Sequence, residues 1–200
     1  MTGLRLILGS MLLMTSVLVF GQTSSPLPEL SAATVGSAPC KLGSLPSDVQ
    51  NRLKSDFGSW KVQEPESLSE HARKTWAGKK PTACPGIAVG AFQSAKTPSF
   101  AVLLVPLDHP DAGYRFLVFS QKPGQLSYDT IVVEQSGDHG SANYFIRKVP
   151  ASQFFSEESK RKFQVQASEA ILMVDSAEQE YEADVYYWSK GGYQHQPVDE

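Results

Sequence analysis

The apolar run of residues 99–106, Ser-Phe-Ala-Val-Leu-Leu-Val-Pro, constrains the possible fold more than any other feature of this chain. It has no polar interruption, it is rich in Val, Leu and Phe, and turn residues bound it on both sides. A short unbroken run of this kind is typical of a strand buried on both faces. We therefore expect residues 100–105 to lie at the centre of a sheet with material packed against each side.

Cys84 precedes this run, and the only other cysteine in the chain is Cys40. In an oxidising compartment the two can form one intramolecular disulfide, Cys40–Cys84. The alternative is a reactive or metal-binding thiol, which is disfavoured because there is no Cys-x-x-Cys motif and no histidine close to either cysteine.

The N-terminal residues predict export. Arg5 gives residues 1–21 a positive start, and residues 6–20 form a mostly apolar stretch followed by Val-Phe-Gly, as in a cleavable signal peptide. An uncleaved anchor helix is the alternative, but the stretch is shorter than the roughly 20 residues of a membrane span. Residues 22–39 are rich in Ser, Pro and Ala and predict a flexible leader, so residues 40–200 would form a single domain, secreted or periplasmic, without a membrane span after cleavage.

Two short amphipathic helices are expected before the long apolar run. Ser47-Asp48-Val49-Gln50 and Ser67-Leu68-Ser69-Glu70 both match the pattern of a capping box. Each is followed by apolar residues at four-residue steps, which form one stripe on a helix face. These stripes are Val49, Leu53 and Phe57 in the first helix and Leu68, Ala72 and Trp76 in the second.

Beyond Gly86, short apolar stretches alternate with turn residues, which predicts an antiparallel meander. The expected strands are residues 87–92, 100–105, 114–120, 130–134, 144–149, 170–174, 181–188 and 193–198. Residues 151–163 interrupt them with early glutamates and late basic residues, the charge order of a helix. The predicted fold is α+β, an antiparallel meander sheet of seven or eight strands with two N-terminal helices and one inserted helix.

The last two strands carry Tyr186, Trp188 and Tyr193 close to one turn. An exposed aromatic cluster there would stack on a sugar or on a partner protein. Cross-strand pairing of the same rings is the alternative and the more common arrangement.

Residues 90–102, Gly-Ala-Phe-Gln-Ser-Ala-Lys-Thr-Pro-Ser-Phe-Ala-Val, resemble a single FG-GAP or VCBS-type repeat. The resemblance implies a strand–turn–strand geometry. In that family aspartates of the turn bind calcium, whereas the corresponding positions here hold Ala91, Gln93, Ala95 and Ser99. Because calcium needs several carboxylate ligands, the resemblance does not carry a calcium site to this chain.

Two loops place a carboxylate beside an imidazole, Asp108 with His109 and Asp138 with His139. If the loops meet in space, they could form a metal or acid–base site. There is no Gly-x-Ser-x-Gly elbow, phosphate-binding loop, dinucleotide fingerprint or His-Glu-x-x-His motif. We therefore predict no catalytic, cofactor-binding or metal-binding residue, and no cofactor.

The formal net charge of -3 argues against a nucleic-acid partner, which would call for a basic surface. The sequence favours an exported, non-catalytic binding or interaction domain whose ligand is an unknown protein or glycan. The alternative is a secreted hydrolase that uses the two Asp-His loops. A binding domain requires an exposed patch or groove, whereas a hydrolase requires both loops around one concave site.

Overall fold

The chain forms two antiparallel sheets with helices on their outer faces. The computed structural model describes residues 40–79, 84–122, 124–177 and 180–198, and this part contains three α-helices and nine strands. The helices are α1 (Ser47–Asp56), α2 (Glu70–Lys79) and α3 (Glu157–Phe163). The strands are β1 (Trp60–Val62), β2 (Ile87–Gly90), β3 (Ser99–Pro106), β4 (Tyr114–Gln121), β5 (Tyr128–Ser136), β6 (Tyr144–Pro150), β7 (Glu169–Ala177), β8 (Glu180–Ser189) and β9 (Gly192–Val198). This confirms the predicted α+β class and antiparallel order.

The strands are divided between a first sheet of five and a second sheet of four. The first sheet has the order β1-β3-β4-β5, with β2 also paired to β3. β1 pairs with one end of β3 and β2 with the other, so both short strands share one edge. The second sheet is a simple meander, β6-β7-β8-β9. The meander therefore breaks between β5 and β6, where the chain passes from one sheet to the other.

β3 is buried on both faces, as its apolar run predicts, with Phe100 through Val105 at 0–6% exposure. Successive side chains of a strand point to opposite faces. Ala101 and Leu103 accordingly pack between the two sheets, and Phe100, Val102 and Leu104 pack under α1. The inter-sheet cluster also contains Phe116 and Val118 of β4 and apolar residues of the second sheet, namely Ile146, Ile171, Met173 and Tyr186.

α1 covers the first sheet through its predicted stripe, since Val49, Leu53 and Phe57 are buried. The predicted capping box does not form, because Pro46 is the N-cap residue and Ser47 already belongs to the helix. The Asp48 carboxylate instead accepts a hydrogen bond of 3.1 Å from the backbone N–H of Tyr128, which ties the start of α1 to β5.

α2 packs on the second sheet, although most strands of the first sheet follow it directly in the sequence. Ala72 and Trp76 of this helix and Leu68, which precedes it, are buried against residues of β6, β7 and β8. The second capping box is displaced by two positions, because Ser69 accepts the capping hydrogen bond from the backbone N–H of Ala72. Ser67 ends a preceding 3₁₀ turn, Pro65–Ser67.

The inserted helix is shorter than the sequence predicts. Residues 151–163 contain a 3₁₀ turn, Ala151–Gln153, and then α3, which begins after the N-cap residue Ser156. The ring centroids of Phe155 and Phe163 are 6.2 Å apart. Both pack with the outer face of the second sheet.

The Cys40–Cys84 pairing is confirmed, with a Cα–Cα distance of 5.0 Å. The bridge closes a loop that contains α1, β1 and α2. The predicted signal peptide and leader, residues 1–39, lie outside the described residues. In the described part of the chain no helix is long and apolar enough to cross a bilayer.

Candidate functional site

The two Asp-His loops meet in space. The Asp111 carboxylate, in the loop between β3 and β4, accepts hydrogen bonds from the backbone N–H groups of Gly140 (3.0 Å) and Ala142 (3.3 Å). The Ser141 hydroxyl donates a bond of 2.7 Å to the carbonyl oxygen of Pro110. These bonds fasten the loop that carries Asp138 and His139 to the one that carries Asp108 and His109.

The contacts between the loops involve backbone groups rather than a constellation of catalytic side chains. Asp108, His109, Asp138 and His139 are all exposed. Asp138 accepts a bond from the hydroxyl of its neighbour Ser136, as a turn-forming aspartate does. Among the described residues, no three His, Cys, Asp or Glu side chains come together in a way that could hold a metal ion.

The close approach of these loops requires glycine at position 113. Gly113 has a φ of 122°, and a Cβ built there would lie 2.5 Å from the carbonyl oxygen of Ser136. Any other residue would be strained in this conformation and would collide with the backbone of β5. The Gly113 N–H donates to the Ser141 hydroxyl at 3.3 Å, which joins β4 to the same junction.

Gln63 links the two sheets immediately beside these loops. It is fully buried, and its side-chain amide donates to the carbonyl oxygens of Ser141 (3.0 Å) and Tyr144 (3.2 Å). Its backbone N–H donates to the carbonyl oxygen of Leu103 in β3. One side chain next to β1 therefore satisfies two carbonyl groups at the start of β6.

A tyrosine–carboxylate cluster lies between the sheets at the same end of the molecule. Glu134 of β5 accepts a hydrogen bond of 2.5 Å from the Tyr114 hydroxyl and another from the Tyr186 hydroxyl of the second sheet. A β-bulge interrupts the β4–β5 pairing at this point, and Val133 also packs on the inter-sheet cluster. The bulge explains why two consecutive residues of β5, Val133 and Glu134, both contact residues between the sheets.

The tyrosines of this cluster lose their hydroxyl protons less readily than an ordinary tyrosine does. Burial, followed by the hydrogen bond to Glu134, raises the pKa of Tyr114 and of Tyr186. Burial, followed by the neighbouring carboxylate of Asp175, raises the pKa of Tyr144. The Tyr114 and Tyr186 hydroxyls donate hydrogen bonds to Glu134, and these bonds join the two sheets.

The C-terminal aromatic residues form cross-strand pairs. Trp188 and Tyr193 contact each other edge to face, with centroids 5.1 Å apart. Tyr186 is buried, and its ring is stacked with that of His195 at 5.2 Å. His195 Nδ1 lies 3.3 Å from a carboxylate oxygen of Asp184. Of the two arrangements considered for these rings, the structure therefore has cross-strand pairing.

A cleft lies between α1 and β1. It has a volume of about 190 Å³, and we refer to it as the α1–β1 cleft. The 3₁₀ turn Leu42–Ser44, α1, β1 and β3 supply its apolar walls. The lining residues are Leu42, Leu53, Lys54, Phe57, Gly58, Trp60, Lys61, Val62 and Leu104.

Arg115 of β4 adds a cation beside this cleft. Its guanidinium lies 4.6 Å from the centroid of the Trp60 ring and 5.7 Å from that of Phe57. Val132 of β5 pairs with Leu117, which is two residues from Arg115 in β4, so Val132 and Arg115 share one face of the sheet. Val132 is 51% exposed. Lys54 is exposed on α1. The apolar cleft thus has cations near its rim.

No protein-family model, curated protein sequence or solved structure matches this chain.

Sequence reasoning did not identify the α1–β1 cleft or the Glu134 cluster. One signal for the cleft was present in the alternation of β4, where Arg115 shares a face with the buried residues Leu117 and Phe119. A charge at the end of an otherwise apolar strand face marks the place where the covering helix stops. Nothing in the local pattern indicates that Glu134 lies between tyrosines from two sheets.

Proposed function

We propose that the protein is an exported, disulfide-bonded interaction domain that binds a partner protein without catalysis. The observation that carries this proposal is the α1–β1 cleft, which is apolar, open and lined by helix and strand residues. Export is supported by the N-terminal sequence and by the Cys40–Cys84 disulfide, which is the type of bond that persists outside the cytosol.

The size of the cleft favours a protein partner over a small molecule. Small-molecule sites usually enclose about 300–1,000 Å³, whereas the α1–β1 cleft has about 190 Å³. This space suits one apolar side chain that anchors a larger interface. Anchors of this kind commonly carry most of the binding energy between proteins.

The position of Arg115 favours a protein partner over a glycan. Sugars bind to the open faces of aromatic rings, but the guanidinium of Arg115 occupies one side of the Trp60 ring. Trp60 is also packed against the core cluster under α1. The indole therefore serves as a wall of the cleft and not as a stacking platform.

The proposal is tested by selecting random peptides on the immobilised protein from a displayed library. We expect enriched peptides to share one large apolar residue and to lose binding when Lys54→Trp places an indole at the cleft rim. Lys74→Trp is the matched control, since Lys74 is an exposed lysine of α2. Peptides that bind the Lys54→Trp variant and the original protein equally well would contradict the proposal.

A hydrolase is the second candidate, because the Asp108/His109 and Asp138/His139 loops are joined by hydrogen bonds. The observation is weaker support than the cleft, since Asp111 is engaged with backbone groups and none of the four named residues lines the cleft. Its test, the response to metal ions, is given in the Discussion.

A further inference from the structure

We propose that the α1–β1 cleft selects an acidic segment of its partner, in which an apolar side chain is flanked by carboxylates. This inference rests on the proposed function and adds the chemistry of the partner. It is carried by Lys54 and Arg115 at an apolar cavity whose lining also includes a third cation, Lys61.

The guanidinium of Arg115 is presented for an anion. Its central carbon lies over the rings of Phe57 and Trp60, and the group carries five N–H donors in a fixed planar arrangement. An arginine fixed on an aromatic ring loses less side-chain entropy when it binds a carboxylate, and it can donate two parallel hydrogen bonds. This geometry fits the carboxylate of an aspartate or a glutamate.

Neither cation is neutralised within the described part of the chain. There, Arg115 and Lys54 have no ion pair, whereas Lys148 is paired with Glu169 at 2.9 Å and Lys122 with Asp129 at 3.0 Å. The protein as a whole has a formal net charge of -3. The rim of the cleft is therefore locally positive on a protein whose net charge is negative. Complementary charge on a partner would favour binding in one orientation.

The apolar surroundings determine where the carboxylates have to lie. The floor of the cleft contains Leu53, Val62 and Leu104, which are 2–5% exposed and offer no charged group. A carboxylate placed against these three side chains would lose its hydration without a partner there. The apolar side chain must therefore enter the cavity, and its acidic neighbours must remain at the rim near Lys54 and Arg115.

Three blocked tripeptides separate the two parts of this proposal in a titration of the ¹⁵N-labelled protein followed by NMR. The probes are acetyl-Asp-Leu-Glu-amide, acetyl-Lys-Leu-Lys-amide and acetyl-Asp-Gly-Glu-amide. We expect the first to shift the backbone amides of Phe57, Trp60 and Val62 and to bind about tenfold more tightly than the second, as a favourable charge pair allows. The glycine peptide should cause no saturable shift.

Substitutions of Arg115 and Lys54 test whether these rim residues cause the preference for the acidic peptide. Arg115→Gln should remove most of the preference for the acidic leucine peptide over the basic one, and added salt should weaken it because salt screens exposed charges. Arg73→Gln, which removes an exposed arginine of α2, is the matched control and should change nothing. Melting curves identify a variant that fails to fold, and Lys54→Gln then provides a second test of the same preference.

The failures are distinguishable. Equal binding of the acidic and basic leucine peptides would overturn the acidic partner and leave the proposed function standing. If neither leucine peptide binds, or if the glycine peptide binds as well as the acidic leucine peptide, the anchoring cleft and the proposed function are both overturned. Concentration-dependent dimerisation that buries the same amides would identify a second copy of this chain as the occupant and would also overturn the proposal.

Discussion

At residue 63, a glutamine with no exposed surface spans the junction between the sheets. Its side chain donates to the carbonyl oxygens of Ser141 and Tyr144, which are 78 and 81 positions further along the chain. A buried carbonyl group that loses its donor costs about 1–3 kcal/mol. The stability of the junction therefore depends on the identity of this one amide.

We expect Gln63→Leu to destabilise the fold by about 2–4 kcal/mol, because two buried carbonyl groups would lose their donor. Gln63→Glu should be worse at neutral pH, because a buried carboxylate would then face both carbonyl oxygens. Urea unfolding measures both free energies. The Glu variant should recover part of its stability in acid, where its protonated carboxyl group can donate one hydrogen bond.

Gln194→Glu is the control for this experiment, since Gln194 is exposed and, within the described residues, its side chain bonds to the carbonyl oxygen of Tyr193 alone. Its stability should stay within about 0.5 kcal/mol of the original value, as is usual for surface positions. A Gln63→Glu variant as stable as this control would show that the amide does not hold the junction.

Residue-scale contacts of this kind could not be predicted from the sequence. Gln63 and Glu134 look like ordinary polar residues near the ends of strands, and their partners become visible only when distant segments are in place. Cys40 and Cys84 are the exception. With only two cysteines in the chain, a single intramolecular pairing is possible, so the disulfide was predictable without any knowledge of the fold.

At the scale of elements, the pattern of apolar residues was sufficient to locate helices and strands. The stripe of Val49, Leu53 and Phe57 identified α1, and the unbroken apolar run identified β3 as a doubly buried strand. The division into two sheets was not predictable. An alternating pattern shows which side chains share a face, but it does not show whether the next strand continues the same sheet.

The junction of the two Asp-His loops leads to a prediction about metal ions. Because no described group of three ligating side chains is present, we expect the melting temperature in EDTA to be unchanged by excess calcium or zinc. A ligand that binds the folded state at a hundred times its dissociation constant would add about 2.7 kcal/mol, a shift of several degrees.

A reproducible rise in melting temperature with either metal would contradict this expectation. If Asp108→Ala or Asp138→Ala then abolished the rise, the loops would hold a metal site, and the hydrolase would become the better function. Asp129→Ala is a suitable control, because Asp129 is a surface carboxylate of β5 that pairs with Lys122 away from these loops.

At the scale of the whole molecule, the two sheets share an interior that is apolar at its centre and phenolic at one end. Tyr114, Tyr144 and Tyr186 meet there around Glu134 and Asp175. The pKa of each of these phenols is raised above its ordinary value of 10.0, in every case first by burial. Proton loss from any of them therefore favours the unfolded chain.

This linkage predicts that the fold is sensitive to alkali. A phenol whose folded-state pKa is raised contributes its full stability below its unfolded pKa of about 10, and this contribution is lost as the pH rises above that value. We expect the free energy of unfolding to be nearly constant between about pH 7 and pH 9 and to fall steeply beyond about pH 10. Urea unfolding across this range, together with absorbance titration of the phenolates, provides the measurement.

Tyr186→Phe isolates the effect from other groups that titrate in alkali. The variant should be less stable at neutral pH, because Glu134 loses a donor, but its stability should fall less steeply between about pH 10 and pH 11. Tyr181→Phe, which changes a more exposed tyrosine of the same strand, should keep the original slope. Identical slopes in all three proteins would exclude Tyr186 as a source of the alkaline sensitivity.

The placement of α2 has a consequence for the order in which the protein can be completed during synthesis. The helix belongs to the N-terminal part of the chain but covers the second sheet, and its Thr75 hydroxyl accepts a hydrogen bond from the Ser176 hydroxyl of β7, 101 residues further along the chain. A helix of ten residues is marginal without tertiary contacts. A growing chain therefore carries the stripe of Leu68, Ala72 and Trp76 uncovered until β7 has been made. A product that terminates after the first sheet would leave this stripe exposed, so the covering of α2 depends on the synthesis of the second sheet.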